Sequence, residues 1–159
     1  MSKHSLSFIV NEENVAVEVE SRSSLLDCLR EQLGFKGAHA GCEHGVCGAC
    51  NVLVDGQSVR SCLMLAVQAN GRNVLTVEGL NKDSSQGELG PLQEAFRDRQ
   101  ALQCGYCTPG MLIRAHEILT QNPHSTADQI REHLASNLCR CTGYEFIVEA
   151  ILTAAESYQ

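Results

Sequence analysis

Eight of the nine cysteines in this 159-residue chain fall into two sets of four, and their spacing constrains the fold more than any other feature. The first set is Cys42, Cys47 and Cys50, completed by Cys62 after eleven intervening residues. That C-x4-C-x2-C…C pattern is the spacing that wraps a plant-type 2Fe–2S centre. The second set joins Cys104 and Cys107 (C-x2-C) to Cys139 and Cys141 (C-x-C). A chain with two such sets is built to carry electrons between two redox partners.

Each set requires its own wrapped loop and supporting core, so the length divides most naturally into two small domains. A core of fewer than about 80 residues is marginal alone, and metal ligation is a usual supplement. The formal charge is −7. Two oxidised clusters with their thiolates add about −2 each, bringing the total to roughly −11. With no basic run, this charge excludes nucleic-acid binding. Met1-Ser-Lys-His-Ser-Leu6 lacks the apolar stretch of an export signal, and no run of 18 apolar residues is present to span a membrane. The expected location is the cytoplasm, where clustered cysteines serve metals or redox chemistry rather than disulfides.

The pattern predicts an α+β first half. Leu6–Val10 and Val15–Val19 alternate apolar and polar residues about a turn at Asn11–Asn14, which reads as a β-hairpin. Ser24 caps a short helix bearing Leu25, Leu26, Cys28, Leu29 and Leu33, stopped by Gly34. After the cysteine loop come a strand at Val52–Val54, a turn at Asp55-Gly56 and a last strand at Val74–Val77. This order fits a β-grasp, ferredoxin-like domain over residues 1–80. Residues 81–90 are polar and rich in Gly and Ser, the composition of a linker. Residues 91–159 read as a four-helix unit. Its helices open at Pro91, at Thr108-Pro109, after Ser125, and at a Thr142/Glu145 capping box whose stripe runs Ile147, Ile151, Ala154, Tyr158.

The first loop places glycine or alanine between most of its cysteines, letting the backbone curl tightly and aim amides at sulfur. A structural zinc site usually combines two C-x2-C pairs, or cysteine with histidine, and does not match this run. His44 invites a Rieske reading, but no histidine lies three residues after a cysteine, so that reading fails. Cys107 and Cys141 stand just before predicted helices, where the dipole favours thiolates. Cys28, flanked by leucines, reads as core, as do Phe8, Met64 and Met111. Neither a dinucleotide-binding GxGxxG nor a phosphate-binding P-loop is present, and no nucleophile–base pair stands out.

Gly41–Cys62, Gln103-Cys-Gly-Tyr-Cys-Thr-Pro-Gly110 and Asn137-Leu-Cys-Arg-Cys-Thr-Gly-Tyr144 closely resemble the small iron–sulfur subunit of bacterial molybdenum hydroxylases, in the xanthine dehydrogenase/aldehyde oxidase family. The resemblance covers nearly the whole chain. It implies a β-grasp domain and a four-helix bundle, each holding one 2Fe–2S cluster. By resemblance, Cys104, Cys107, Cys139 and Cys141 hold the cluster nearest molybdenum, with Gln103 and Cys141 close to the pterin. Cys42, Cys47, Cys50 and Cys62 hold the distal cluster. The family implies a large partner subunit carrying molybdopterin, in its cytosine dinucleotide form. It also implies a medium FAD-binding subunit or an external electron acceptor. The substrate site belongs to the large subunit, so this chain has no catalytic residue of its own. The alternatives are a free-standing two-cluster ferredoxin and a zinc-stabilised interaction module.

Overall fold

The computed structural model describes residues 3–81 and 88–159; most of the expected linker, residues 82–87, lies outside the described residues. Strands β1 (Lys3–Val10) and β2 (Glu13–Glu20) form an antiparallel hairpin in which Val10 pairs with Glu13. The turn is tighter than expected. Only Asn11 (φ 50°) and Glu12 (φ 68°) lie in it, both left-handed, the two-residue form that matches strand twist. Leu6, Phe8 and Val10 turn one face of β1 into the core.

Strands β3 (Asn51–Val54), β4 (Gln57–Arg60) and β5 (Asn73–Leu75) complete a mixed sheet of order β2-β1-β5-β3-β4. Within it, β1 and β5 run parallel, and the other neighbours run antiparallel. Asp55 and Gly56, at φ 50° and 82°, make the expected turn. It returns into a strand that the sequence reading missed, since Gln57-Ser-Val-Arg60 carries one apolar residue and no clear alternation. The last strand stops at Leu75, two residues short of Val77, where a 3-10 turn (Val77–Gly79) begins. Glu78 in that turn accepts a hydrogen bond from the Gly37 backbone N–H at 2.7 Å.

Ser24 caps the first helix as expected, its hydroxyl accepting from the Asp27 N–H at 3.0 Å. Helix α1 (Leu25–Asp27) is one turn long and widens into a π turn over Cys28–Gln32, which ends at Gly34 (φ 81°). Leu25, Leu26, Cys28 and Leu29 are fully buried against the sheet. Burial pushes the Cys28 thiol up to about 11, so it packs as a neutral hydrophobe.

Four helices follow: α2 (Pro91–Asp98), α3 (Thr108–Gln121), α4 (Ala127–Leu134) and α5 (Glu145–Ala154). They enclose a second core of Phe96, Met111, Leu119, Ile130, Leu134, Ile147 and Ile151. Two caps differ from expectation. Thr126, not Ser125, caps α4, because the Ser125 hydroxyl is spent on the Asn122 carbonyl at 2.8 Å. Left-handed Tyr144 (φ 73°) opens α5 in place of a Thr142/Glu145 box. Thr142 faces Cys139, and Glu145 pairs with Arg131 at 3.1 Å. Among the described residues, no helix is long and apolar enough to cross a membrane.

Helix α3 joins the two cores. Its buried Glu117 accepts from the Ser58 backbone N–H at 2.9 Å and the Ser58 hydroxyl at 2.5 Å, and pairs with Arg114. Burial pushes the Glu117 carboxyl up, but these Ser58 and Arg114 bonds outweigh it and hold the group below its ordinary value. At the preceding residue, His116 Nδ1 lies 2.8 Å from the Tyr158 hydroxyl. Tyr158 is pushed up to about 12 by burial, so it donates, and burial holds the His116 imidazole neutral, below its ordinary value.

Because the folded His116 binds its proton less readily than the unfolded one, the unfolded chain takes up more protons between the two values. The stability that neutral His116 confers is complete above about pH 6.5 and declines as pH falls through the folded value. Replacing His116 with Gln should flatten the pH dependence of unfolding below about 6.5 relative to wild type. Denaturant titrations at several pH values check this, and equal slopes would contradict it.

Candidate iron–sulfur sites

The first cysteine loop, residues 41–50, contains no helix or strand and bends through left-handed Glu43, Gly45 and Gly48. These bends aim backbone N–H groups inward. Cys47 N–H donates to Cys42 Sγ at 3.3 Å. Backbone N–H groups at His44 and Cys47 pull the Cys42 thiol down to about 6. Cys50 is buried, and its Sγ lies 3.4 Å from that of Cys62. Burial, then the neighbouring Cys50 thiol, pushes Cys62 up to about 11. His44 behaves as a solvated loop residue: it is exposed and its ring bonds the Cys42 carbonyl rather than a sulfur.

The second set draws on two separate loops. Cys107 stands at the N-cap of α3, after left-handed Gly105, while Cys139 and Cys141 precede the left-handed pair Gly143-Tyr144. Thr142 donates to Cys139 Sγ from its hydroxyl at 3.1 Å and its backbone N–H at 3.4 Å. Burial pushes the Cys139 thiol up, but the Thr142 bonds prevail and hold it below its ordinary value. Cys107 is pushed up to about 12, first by burial and then by the adjacent Cys139 thiol. Cys104 and Cys141 are exposed at the rim. Gln103 lies there too, its amide donating to the Cys141 carbonyl at 3.0 Å.

The thiols therefore meet in twos, Cys50 with Cys62 and Cys107 with Cys139. Among the described residues, no three His, Cys, Asp or Glu side chains converge on one ion. A tetrahedral zinc site takes its donors around a single point, whereas a binuclear cluster takes two ligands per iron. Burial first, and then the neighbouring thiol, raises Cys62 and Cys107; a bound metal ion deprotonates such thiols outright. Four thiols, inward amides and small residues between them fit the 2Fe–2S group.

The two sites abut. Gly110, in the first turn of α3, lies so close to loop one that a Cβ there would collide with the Gly48 carbonyl oxygen. A side chain on Gly48 would stand 2.6 Å from Asn137 Nδ2. Asn137, 1% exposed, fills this junction. Its amide donates to the carbonyls of Gly110 (3.2 Å) and Gly48 (3.5 Å), and its Oδ1 accepts from Asn51 Nδ2 (3.3 Å). The next residue, Leu138, donates its backbone N–H to the Cys47 carbonyl at 2.8 Å. Arg60, at the end of β4, bonds the Gly45 carbonyl at 3.1 Å, the Asn51 side chain and the Ser136 carbonyl. Sequence reasoning quoted Asn137 without a role and missed Arg60, because neither has a helix or strand pattern to announce it.

Two family models cover the chain: a 2Fe-2S iron-sulfur cluster binding domain matches residues 8–76, and a [2Fe-2S] binding domain matches residues 76–152. The gamma subunit of caffeine dehydrogenase from a Pseudomonas species is 51% identical over 95% of this chain and 90% of its own length. The chain belongs to the small 2Fe–2S subunits of the bacterial molybdenum hydroxylases. Another such small subunit, that of nicotine 6-hydroxylase from Paenarthrobacter nicotinovorans, is 53% identical over 91% of this chain and 86% of its own. Among solved structures, quinoline 2-oxidoreductase from Pseudomonas putida 86 has a chain that superposes with a TM-score of 0.94 at 48% identity, covering 98% of this chain and 96% of that one. Over 96% of its length this chain also superposes on 17% of the much longer chain of aldehyde oxidoreductase from Desulfovibrio gigas, with a TM-score of 0.89 at 36% identity.

Asn137→Ala in this small subunit leaves the Asn51 side-chain amide without a partner and takes one donor from the Gly48 and Gly110 carbonyls, Gly48 keeping its bond from the Asn51 backbone N–H. The expected cost is about 1–3 kcal/mol, that of one unsatisfied buried group. Gly110→Ala should separate the two loops by forcing the Gly48 carbonyl away. Denaturant unfolding measures both effects, and a wild-type midpoint for either variant would refute the junction described.

Proposed function

We propose that this small subunit carries electrons out of a molybdenum hydroxylase, with Cys104, Cys107, Cys139 and Cys141 holding the proximal 2Fe–2S cluster and Cys42, Cys47, Cys50 and Cys62 the distal one. In this reading the β-grasp domain spans residues 1–80, the linker 81–90, and a four-helix bundle 91–159. When bound, each cluster takes up and hands on one electron at a time. The observation that carries the proposal is the backbone bond from Leu138 N–H to the Cys47 carbonyl at 2.8 Å. Cys47 belongs to one set, and Leu138 is the immediate neighbour of Cys139 in the other. One hydrogen bond therefore links the main chains of the two ligand sets.

The direction follows from which thiols face outward. Exposed Cys104 and Cys141, with Gln103 bridging them, form the edge that meets a large subunit carrying molybdopterin, in its cytosine dinucleotide form. Leu102, Tyr106 and Leu138 beside this set are exposed apolar residues, as are Val46 and Leu63 beside the other. Apolar residues at both rims suit a lasting complex better than a free shuttle and disfavour the free-standing ferredoxin. The outward partner is a medium FAD-binding subunit or an external acceptor, and the assembled enzyme works in the cytoplasm. The names of the relatives (caffeine, nicotine, quinoline) support a nitrogen heteroaromatic as the substrate class of the whole enzyme.

Metal analysis should find about four irons and four labile sulfides per chain, and the reduced protein should give two distinct paramagnetic signals. Substituting Ser for any of the eight ligands should erase one signal, whereas Cys28→Ala should retain both and cost about 1 kcal/mol of stability. A single signal in the wild type, or zinc in place of iron, would overturn the assignment. Gln103→Ala removes the tie to Cys141 without removing a ligand. In the assembled enzyme, rapid mixing with substrate should show slower cluster reduction for this variant. Glu43→Ala, on the distal loop, should leave that entry step unchanged; the opposite pattern would reverse the proposed direction.

A further inference from the structure

Asn137 and the α3 packing hold the two cysteine loops together on their buried side. On the solvent side no core packing is available, and both loops lack helix or strand there. The gap is instead crossed by two side chains. Tyr106, in the two-residue interval between Cys104 and Cys107, stacks on His39 with ring centroids 4.6 Å apart and planes at 28°. Its hydroxyl donates to the Ala40 carbonyl at 2.7 Å. In return, His39 Nδ1 lies 2.8 Å from the Tyr106 carbonyl. A carbonyl only accepts, so that nitrogen carries the proton.

His39 is fixed from its own side as well, its backbone N–H donating to the Ala49 carbonyl at 3.1 Å. Ala40 lies two residues before Cys42, and Ala49 immediately precedes Cys50. Through these bonds Tyr106, rooted between Cys104 and Cys107, is tied to both ends of the first cysteine loop. Tyr106 is 49% exposed, yet its ring, hydroxyl and carbonyl are all engaged across the gap. Solvation of a surface tyrosine requires none of these bonds.

We infer that His39 and Tyr106 are positioning residues for electron transfer between the two cluster sites, fixing the width of the gap on its solvent side. The inference rests on the reading that both cysteine sets hold 2Fe–2S clusters. Electron tunnelling falls steeply with distance, so a gap held on one edge only would open and close with loop motion and slow the transfer. Removing the pair leaves every thiol in place, so the clusters stay bound while their separation loosens.

The test uses the assembled holoenzyme carrying Tyr106→Ala or His39→Ala, with Tyr106→Phe, which keeps the stack and loses only the Ala40 bond, as the conservative variant. Two readouts are needed: the magnetic interaction between the two reduced clusters, which falls with the cube of their separation, and the rate at which the distal cluster is reduced after substrate is mixed in. The alanine variants should retain about four irons per chain. They should also show a weakened or broadened magnetic splitting and slow distal reduction on the order of tenfold. Tyr106→Phe should fall between them and wild type. Wild-type splitting and rate in both alanine variants would overturn the inference. A fall to about two irons per chain would also overturn it, because the pair would then retain a cluster rather than place it. Wild-type holoenzyme that itself lacks four irons per chain would overturn the cluster assignment along with it.

Discussion

The close approach of the Gly48 carbonyl to Gly110 is the contact on which the arrangement of both cysteine sets depends. Backbone can approach backbone this nearly only because Gly110 has no Cβ, and a Cβ on Gly48 would displace Asn137. Such an approach buries polar groups, and a buried carbonyl without a donor is costly. The Asn51 N–H supplies one donor to the Gly48 carbonyl, and Asn137 adds an amide shared between the two carbonyls while turning its own oxygen to the Asn51 side chain. The junction thereby seats α3 on β3 and β4 and brings Leu138 within hydrogen-bonding distance of Cys47.

The same junction explains why residues outside the cysteine loops carry so much of the site. Ser58 and Arg60 both come from β4, and each reaches across to the helical half, Ser58 to Glu117 and Arg60 to the Ser136 carbonyl. Glu117 stays ionised within the protein because the Ser58 bonds and Arg114 repay its desolvation. This network holds the two cores in one orientation, which a passage of electrons between fixed sites requires.

Within each set, the arrangement settles a contest between burial and hydrogen bonding. Cys42 and Cys139 receive backbone or hydroxyl donors and favour the thiolate, while Cys62 and Cys107, buried beside another thiol, resist it. A cation placed among them removes the resistance, since each crowded pair then shares a positive neighbour. The protein thus carries a cradle whose electrostatics are complete only with its metal. Outside the cradle, Cys28 has neither donors nor a thiol neighbour and remains part of the core.

Cysteine spacing alone was sufficient to divide the chain's chemistry in two and to separate Cys28 from the other eight, because cluster ligation demands fixed intervals along the backbone. Alternation and capping residues likewise announced the hairpin, the Ser24 cap and the helices at Pro91 and Thr108, all of which depend on local conformational preference. Strand β4 was illegible because its stability comes from pairing with β3 rather than from its own four residues. Thr142 was misread as a cap because its hydroxyl is claimed by Cys139, a partner that is close by but set in place by the loop's fold. The ties among Asn137, Arg60, His39 and Tyr106 join residues far apart along the chain. No local pattern encodes them. The sequence by itself determined which thiols fall at cluster-ligand spacing and where the hairpin and most of the helices lie, since those are matters of spacing and local energy. Only the tertiary structure decided how near the two sets stand and what holds them there, since that distance is set by backbone packing between segments brought together by folding.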